Sequence, residues 1–169
     1  LDVAGVVEFD LISMLPDDAV AGVFRKDLFE ALKDIQPGFI RFPGGCIVEG
    51  ISLENRYQWK KTVGELKDRK YIPNLWAFQD DRNFRKDLDV KRPDAHYGQS
   101  YGIGFYEYFV LCELLGAKPL PVLGMGAACQ FRTTELVPID NEEFQKFVQD
   151  ALDLIEFANG PVESKWGGL

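Results

Sequence analysis

The chain has 169 residues, a length suited to about one domain, and with 46% of them hydrophobic and 13% aromatic it can bury a core. Lysine and arginine number 19 against 27 aspartates and glutamates, giving a net charge of −8. That balance argues against nucleic acid or an anionic membrane as partner, because it supplies no basic footprint, and it suits a neutral ligand such as a sugar.

No apolar run approaches the ~18 residues of a membrane span, and no basic-then-apolar leader stands at the start. The chain opens on Leu1 and closes on "SKWGGL", which reads as a piece of a longer protein, so the missing leader says little about location.

In chain order, "VVEFDLISML" (Val6 to Leu15) partly alternates apolar and polar residues and stops at Pro16, which predicts a strand. Phe24, Leu28, Ala31, Leu32 and Ile35 then recur at helical spacing with charges between them, and "QPG" ends that helix. "FIRF" follows as a short buried strand. Residues 51–100 are polar without a sustained period, although Tyr57, Trp59, Trp76 and Phe78 interrupt them. A stretch this long inside a compact domain is usually functional or disordered. The aromatics predict an ordered functional loop for its first half, and "QDDRNFRKDLDVKRPD" reads as a solvated excursion.

A second helix is predicted from about Gly104, with Phe105, Tyr108, Phe109, Cys112 and Leu115 on one face and Gly116 as its C-terminal cap. "PLPVLG" (Pro119 to Gly124) is a continuous apolar run, expected of a strand covered on both faces. The last helix is predicted to start at Asp140 with Glu143 three residues on, to bury Phe144, Phe147, Val148, Ala151, Leu152 and Ile155, and to stop at Asn159-Gly160-Pro161. Alternating helices and buried strands define an α/β chain with a parallel sheet and right-handed crossovers.

The chemistry-bearing residues are few. Cys46, Cys112 and Cys129 are three cysteines without CxxC spacing, so a disulfide framework is not expected, and Cys112 and Cys129 read as small buried apolar residues. His96, the single histidine, lies in the charged loop, and no His/Cys/carboxylate set has zinc spacing, so neither a metal site nor a cofactor is expected. "GIG" and "GMG" complete no phosphate-binding loop, and GxSxG is absent.

Arg41 stands out. It shares a strand face with Phe39, while Ile40 and Phe42 point the other way. A buried guanidinium must be paired, either in a structural ion pair or with an active-site carboxylate that it keeps ionised. Pro43, Gly44 and Gly45 turn the chain sharply at the end of this strand, where parallel α/β folds bind ligands. Glu49 follows that turn and can face a cleft. Glu8, Glu54, Glu107 and Glu113 are the other carboxylates near ordered segments, and no two of them form an acid and nucleophile pair. On a helix, Glu107 and Glu113 are expected to be solvated or paired.

At "RFPGGCIVEG" the sequence resembles the family 51 glycoside hydrolases, the α-L-arabinofuranosidases. The likeness continues through "FRKDLFEALKDIQPGFIRFPGGC", "NRYQWKKTVG", "NLWAF", "GIGFYEYFVLCELLGAKPLPVLGMG" and "LDLIEFANGPVESKWG", most of the chain from about Phe24 onward. The resemblance implies a partial (β/α)8 barrel, running from the first helix to the third, since a whole barrel needs ~250 residues. It assigns 17–169 to the barrel and 1–16 to the last strand of an accessory β-sandwich. It implies retaining hydrolysis of terminal α-L-arabinofuranosyl units of arabinan, arabinoxylan or their oligosaccharides by two glutamates, an acid/base after strand four and a nucleophile after strand seven. Retention requires those carboxyl groups ~5 Å apart, so both depend on a completed barrel, and neither is in this sequence.

By the resemblance, Arg41 matches the arginine near the nucleophile, Cys46 a position that contacts the arabinose, and Trp76 the tryptophan lining the sugar subsite. The family's strand-one glutamate has no match here, and the charged stretch Asp80 to Gln99 is longer than the usual link. An accessory sugar-binding module would favour export to the periplasm or beyond. Another retaining barrel glycosidase, a β-xylosidase or endoglucanase, and a non-catalytic carbohydrate-binding protein are the rival readings. Alone, a half barrel exposes strand edges and apolar surface and is expected to be unstable or to associate with further copies.

Overall fold

A parallel pair of strands organises the chain. In the computed structural model, which describes residues 5–8, 12, 14–78 and 98–169 (with the side chains of 77 and 78 excepted), β1 (Phe39–Phe42) lies beside β4 (Lys118–Pro121). Phe39 is opposite Lys118, and Arg41 opposite Leu120. The ladder is extended at both ends, where Lys118 donates to the Gly38 carbonyl at 3.1 Å and Val122 to that of Phe42 at 2.8 Å. Parallel neighbours need a crossover. Here it runs through α2 (Gly45–Glu49), a long connection and α3 (Phe105–Leu115).

Before this unit lies α1 (Lys26–Ile35), and after it α4 (Phe144–Asn159). A small antiparallel pair, β2 (Ile72–Pro73) with β3 (Gly98–Gln99), closes the connection. Both sheets have two strands, so these described residues form a β–α–β piece of an α/β fold rather than a closed barrel.

The core lies on one side of β1. Ile40 and Phe42 point into it, and Tyr108 Oη donates to the Ile40 carbonyl at 2.7 Å. Phe42 stacks on Tyr108 at 4.8 Å between ring centroids, and Tyr57 and Phe105 meet it edge-on. The connection supplies Tyr57 and Trp59 as core residues. Trp59 is 2% exposed, lies between Phe157 and Trp166, and donates from its indole to the Asp150 carbonyl at 2.9 Å. The polar composition of 51–78 thus conceals an ordered segment, threaded by one-turn helices at Trp59–Lys61, Leu66–Asp68 and Leu75–Phe78.

A buried ion pair holds that segment. Arg69 Nη1 donates to Glu107 Oε2 at 2.9 Å and to the Tyr101 carbonyl at 3.0 Å, and its other nitrogens reach the Gly64 carbonyl. The same Glu107 oxygen accepts the Gly104 N–H at 2.8 Å, and Thr62 Oγ1 accepts that of Phe105 at 3.1 Å. Two of the N–H groups that a helix start leaves unsatisfied are therefore capped, one by the loop and one by the ion pair.

Several expectations are corrected. The described residues within 5–16 are exposed, and none of them lies in a strand. On α1, Leu28, Leu32 and Ile35 are exposed and Phe29 is the buried residue. On α4, Val148, Leu152 and Ile155 are exposed, and Leu154 and Phe157 turn to the core. Asp140 makes no cap; instead Asn141 Oδ1 accepts the Glu143 N–H at 2.8 Å. β4 is exposed along its length rather than covered on both faces. The common cause is that helical and strand periods identify an apolar face without saying whether this chain supplies the surface to cover it. Most of the charged excursion, and His96, lie outside the described residues, among which no helix is long and apolar enough to cross a membrane.

Removing one member of a buried pair leaves the other charge uncompensated, at a cost of roughly 3–5 kcal/mol. Arg69→Ala and Glu107→Gln are each expected to lower the unfolding free energy of the full-length protein by about that amount in a urea titration. A double replacement by apolar residues is expected to recover part of the loss.

Candidate functional site

The carboxyl end of β1 carries the candidate chemistry. After Phe42 the chain passes through a cis peptide to Pro43 and then Gly44, with φ 121° and ψ 160°. That region of backbone space is open to glycine almost alone. The sequence Pro43-Gly44-Gly45 is thus a strand-to-helix junction, with α2 beginning at Gly45.

Arg41 is on the Phe39 face, as strand alternation requires, but it is exposed rather than buried and makes no ion pair among the described residues. Its guanidinium lies against Gly44, where a Cβ would collide with it. The expected buried pair is absent because this face of the two-stranded sheet is uncovered.

A pocket of about 290 Å³ opens beside it, lined by Arg41, Glu49, Val122, Leu123 and Met125 among others. It lies where both parallel strands end, the usual ligand position in parallel α/β proteins. From α2, Cys46 and Glu49 approach Cys129, and the two sulfurs and a Glu49 carboxylate oxygen all lie within 4.8 Å of one another. Cys46 is half-buried, and Cys129 is buried. Burial, and then the hydrogen bond with Cys46, push the Cys129 thiol above its ordinary range.

Gly50 sets this approach. Its N–H donates to the Cys46 carbonyl at 2.8 Å, and its own carbonyl accepts the Cys129 N–H at 3.0 Å, so one residue ties both cysteine backbones. It does so with φ 72° and ψ 174°, and a Cβ there would stand 2.6 Å from the Arg56 nitrogen. Trp76 packs with Cys46 against Ile51, Leu75 and Cys129. The Arg132 guanidinium stands 5.4 Å above the Trp76 ring.

The four side chains singled out as candidate ligand contacts therefore converge. Arg41 and Glu49 line one pocket, Cys46 adjoins Glu49, and Trp76 packs against the same Ile51, Leu75 and Cys129 cluster as Cys46. Cys129 and Arg132 were missed as site residues. They come from the segment after β4, and no spacing along the chain announces that it folds back on α2. Likewise the lack of zinc-type spacing in the sequence does not carry over to space, where three ligand-type side chains meet.

A pocket at the carboxyl ends of parallel strands, with Arg41 and Glu49 in its wall, defines the class: an α/β protein with a candidate site at the strand ends. The alpha-L-arabinofuranosidase 1 domain matches residues 31–169. An extracellular exo-α-L-arabinofuranosidase of Streptomyces chartreusis is 39% identical, over 94% of this chain and 18% of its own length. Alpha-L-arabinofuranosidase 1 of Arabidopsis thaliana is 36% identical, over 98% and 21%. Among solved structures, the arabinose-bound α-L-arabinofuranosidase MgGH51 superposes with a TM-score of 0.66 at 29% identity, over 86% of this chain and 20% of its own. The chain belongs to the family 51 α-L-arabinofuranosidases. It spans about a fifth of the length of these relatives.

Gly50→Ala is expected to destabilise the full-length protein by roughly 1–3 kcal/mol or more, because a Gly-only conformation is lost and a Cβ is forced onto backbone. Thermal unfolding measures this, and a melting temperature equal to wild type would show that the clip through Gly50 is not under such constraint.

Proposed function

We propose that the protein containing this chain hydrolyses terminal α-L-arabinofuranosyl residues from arabinan, arabinoxylan or derived oligosaccharides, with retention, through two glutamates outside this chain. The observation that carries the reading is the convergence of Arg41, Cys46, Glu49 and Trp76 on the carboxyl end of a parallel strand, in a chain that belongs to this family. In this reading 17–169 form the first part of a (β/α)8 barrel, and 1–16, whose described residues lie in no strand by themselves, pair with further strands as the last strand of an accessory β module. The exposed faces of α1, α4 and β4 then pack against the remaining strands and helices.

The residues divide the work as follows. Arg41 extends from an uncovered strand face with its guanidinium against Gly44; closing the barrel over that face brings a carboxylate to it. The arginine then keeps that carboxylate ionised and oriented, which a nucleophile for the anomeric carbon needs. Trp76 offers an apolar ring face to the sugar, and Arg132 above the opposite side holds the indole in place. Glu49, in the wall of the pocket, and Cys46 beside it offer a carboxylate and a thiol to furanose hydroxyls.

The full-length protein is expected to cleave an aryl α-L-arabinofuranoside and to leave an aryl β-xyloside intact. Cleavage of neither by a folded protein overturns the proposal, and preference for the xyloside redirects it to another retaining glycosidase. Arg41→Ala is expected to lower kcat about 10²-fold, the loss typical of removing one preorganised electrostatic group. Arg41 lies outside the aromatic core, so the variant is expected to remain folded, which its far-UV circular dichroism checks. Near-normal turnover would remove Arg41 from the machinery.

A further inference from the structure

We propose that Cys46, Glu49 and Cys129 form a binding site for a thiophilic divalent cation of the zinc class. Two sulfurs and a carboxylate oxygen lie within 4.8 Å of one another. Zinc holds sulfur at about 2.3 Å and carboxylate oxygen at about 2.0–2.2 Å, so its tetrahedral ligands are separated by roughly 3.5 Å. Ligand atoms already within 4.8 Å of one another need to close by only about 1 Å to reach that spacing. Soft thiolates select zinc, cadmium or cobalt over magnesium and calcium, which prefer oxygen alone.

The placement is built rather than accidental. Gly50 fixes the Cys46 carbonyl and the Cys129 N–H through two short backbone bonds, in a conformation reserved for glycine. Cys129 is 3% exposed, and Ile51 and Leu75 wall it off. Cys46 and Glu49 are only partly buried, and Glu49 borders the pocket. The ion is therefore shielded on one side and open on the other, the arrangement of a site with three protein ligands and a fourth position for water. Binding releases the two thiol protons to solvent. A bound ion would clamp the segment after β4 to α2 at the mouth of the pocket. Cys46 and Glu49 cannot hold the ion and a furanose hydroxyl at the same time, so ion and sugar are alternative occupants of these two side chains, and the test uses no sugar.

The test is titration of the reduced full-length protein with cobalt(II), a spectroscopic stand-in for zinc. The expected result is a thiolate-to-cobalt charge-transfer absorption that saturates at one equivalent and is bleached by zinc chloride. Cys129→Ser and Cys46→Ala should each abolish it, and Glu49→Gln should weaken cobalt binding at least tenfold. Cys112→Ser, in the aromatic cluster around Phe105 rather than the one that holds Cys129, should leave it intact. Using both Cys46→Ala and Cys129→Ser keeps the test valid if the buried substitution fails to fold. The proposal is overturned if folded wild type shows no such absorption, or if the absorption survives both cysteine substitutions. It is also overturned if peptide mapping finds Cys46 and Cys129 joined as a disulfide in the protein as isolated.

Discussion

The structure depends on the ion pair between Arg69 and Glu107. A polar connection separates β1 from α3, and by composition it has little reason to fold. Arg69 anchors it, spending its donors on Glu107, Tyr101 and Gly64. Glu107 in turn accepts the N–H of Gly104, the residue that caps the start of α3. Burying two charges is favourable only when nearly every donor and acceptor is used, as here. With the connection so held, Tyr57 and Trp59 enter the core, and Ile51, Leu75 and Trp76 come up against α2.

The core and the site are thus two faces of one arrangement. Ile40 and Phe42 point into the aromatic core, and Arg41 between them points away from it. Strand alternation makes this unavoidable, so the face that stabilises β1 cannot be the face that meets a ligand. The junction after Phe42 then redirects the chain into α2, whose Cys46 and Glu49 stand beside that second face. Glycine serves at Gly44 and Gly50 because each holds a backbone shape that a side chain would forbid.

The exposed apolar surface has the same logic. Leu28, Leu32 and Ile35 on α1 and Val148, Leu152 and Ile155 on α4 are all uncovered. In a chain that spans about a fifth of its relatives' length, these are the faces that the proposed barrel would cover, and β4, exposed at all four positions, is another. A β–α–β unit has one finished interface, between its strands and its crossover, and unfinished ones everywhere else.

By itself the sequence determined the helices around 26–35, 105–115 and 144–159, the strands at Phe39–Phe42 and after Gly116, and the α/β class. Periodicity and local stop signals act over a few residues and survive in one dimension. It also marked Arg41, Cys46, Glu49 and Trp76, because an arginine in an apolar strand and glycines at its end are locally anomalous, and because "RFPGGCIVEG" resembles a known family. The tertiary structure alone decided which residues of each apolar stripe are buried, as with Phe29 and Leu154. It also chose pairing over solvation for Glu107, as the buried partner of Arg69, and brought Cys129 and Arg132 to the candidate site. Those outcomes are set by contacts between segments far apart in the chain, and no local spacing encodes which distant surface will arrive.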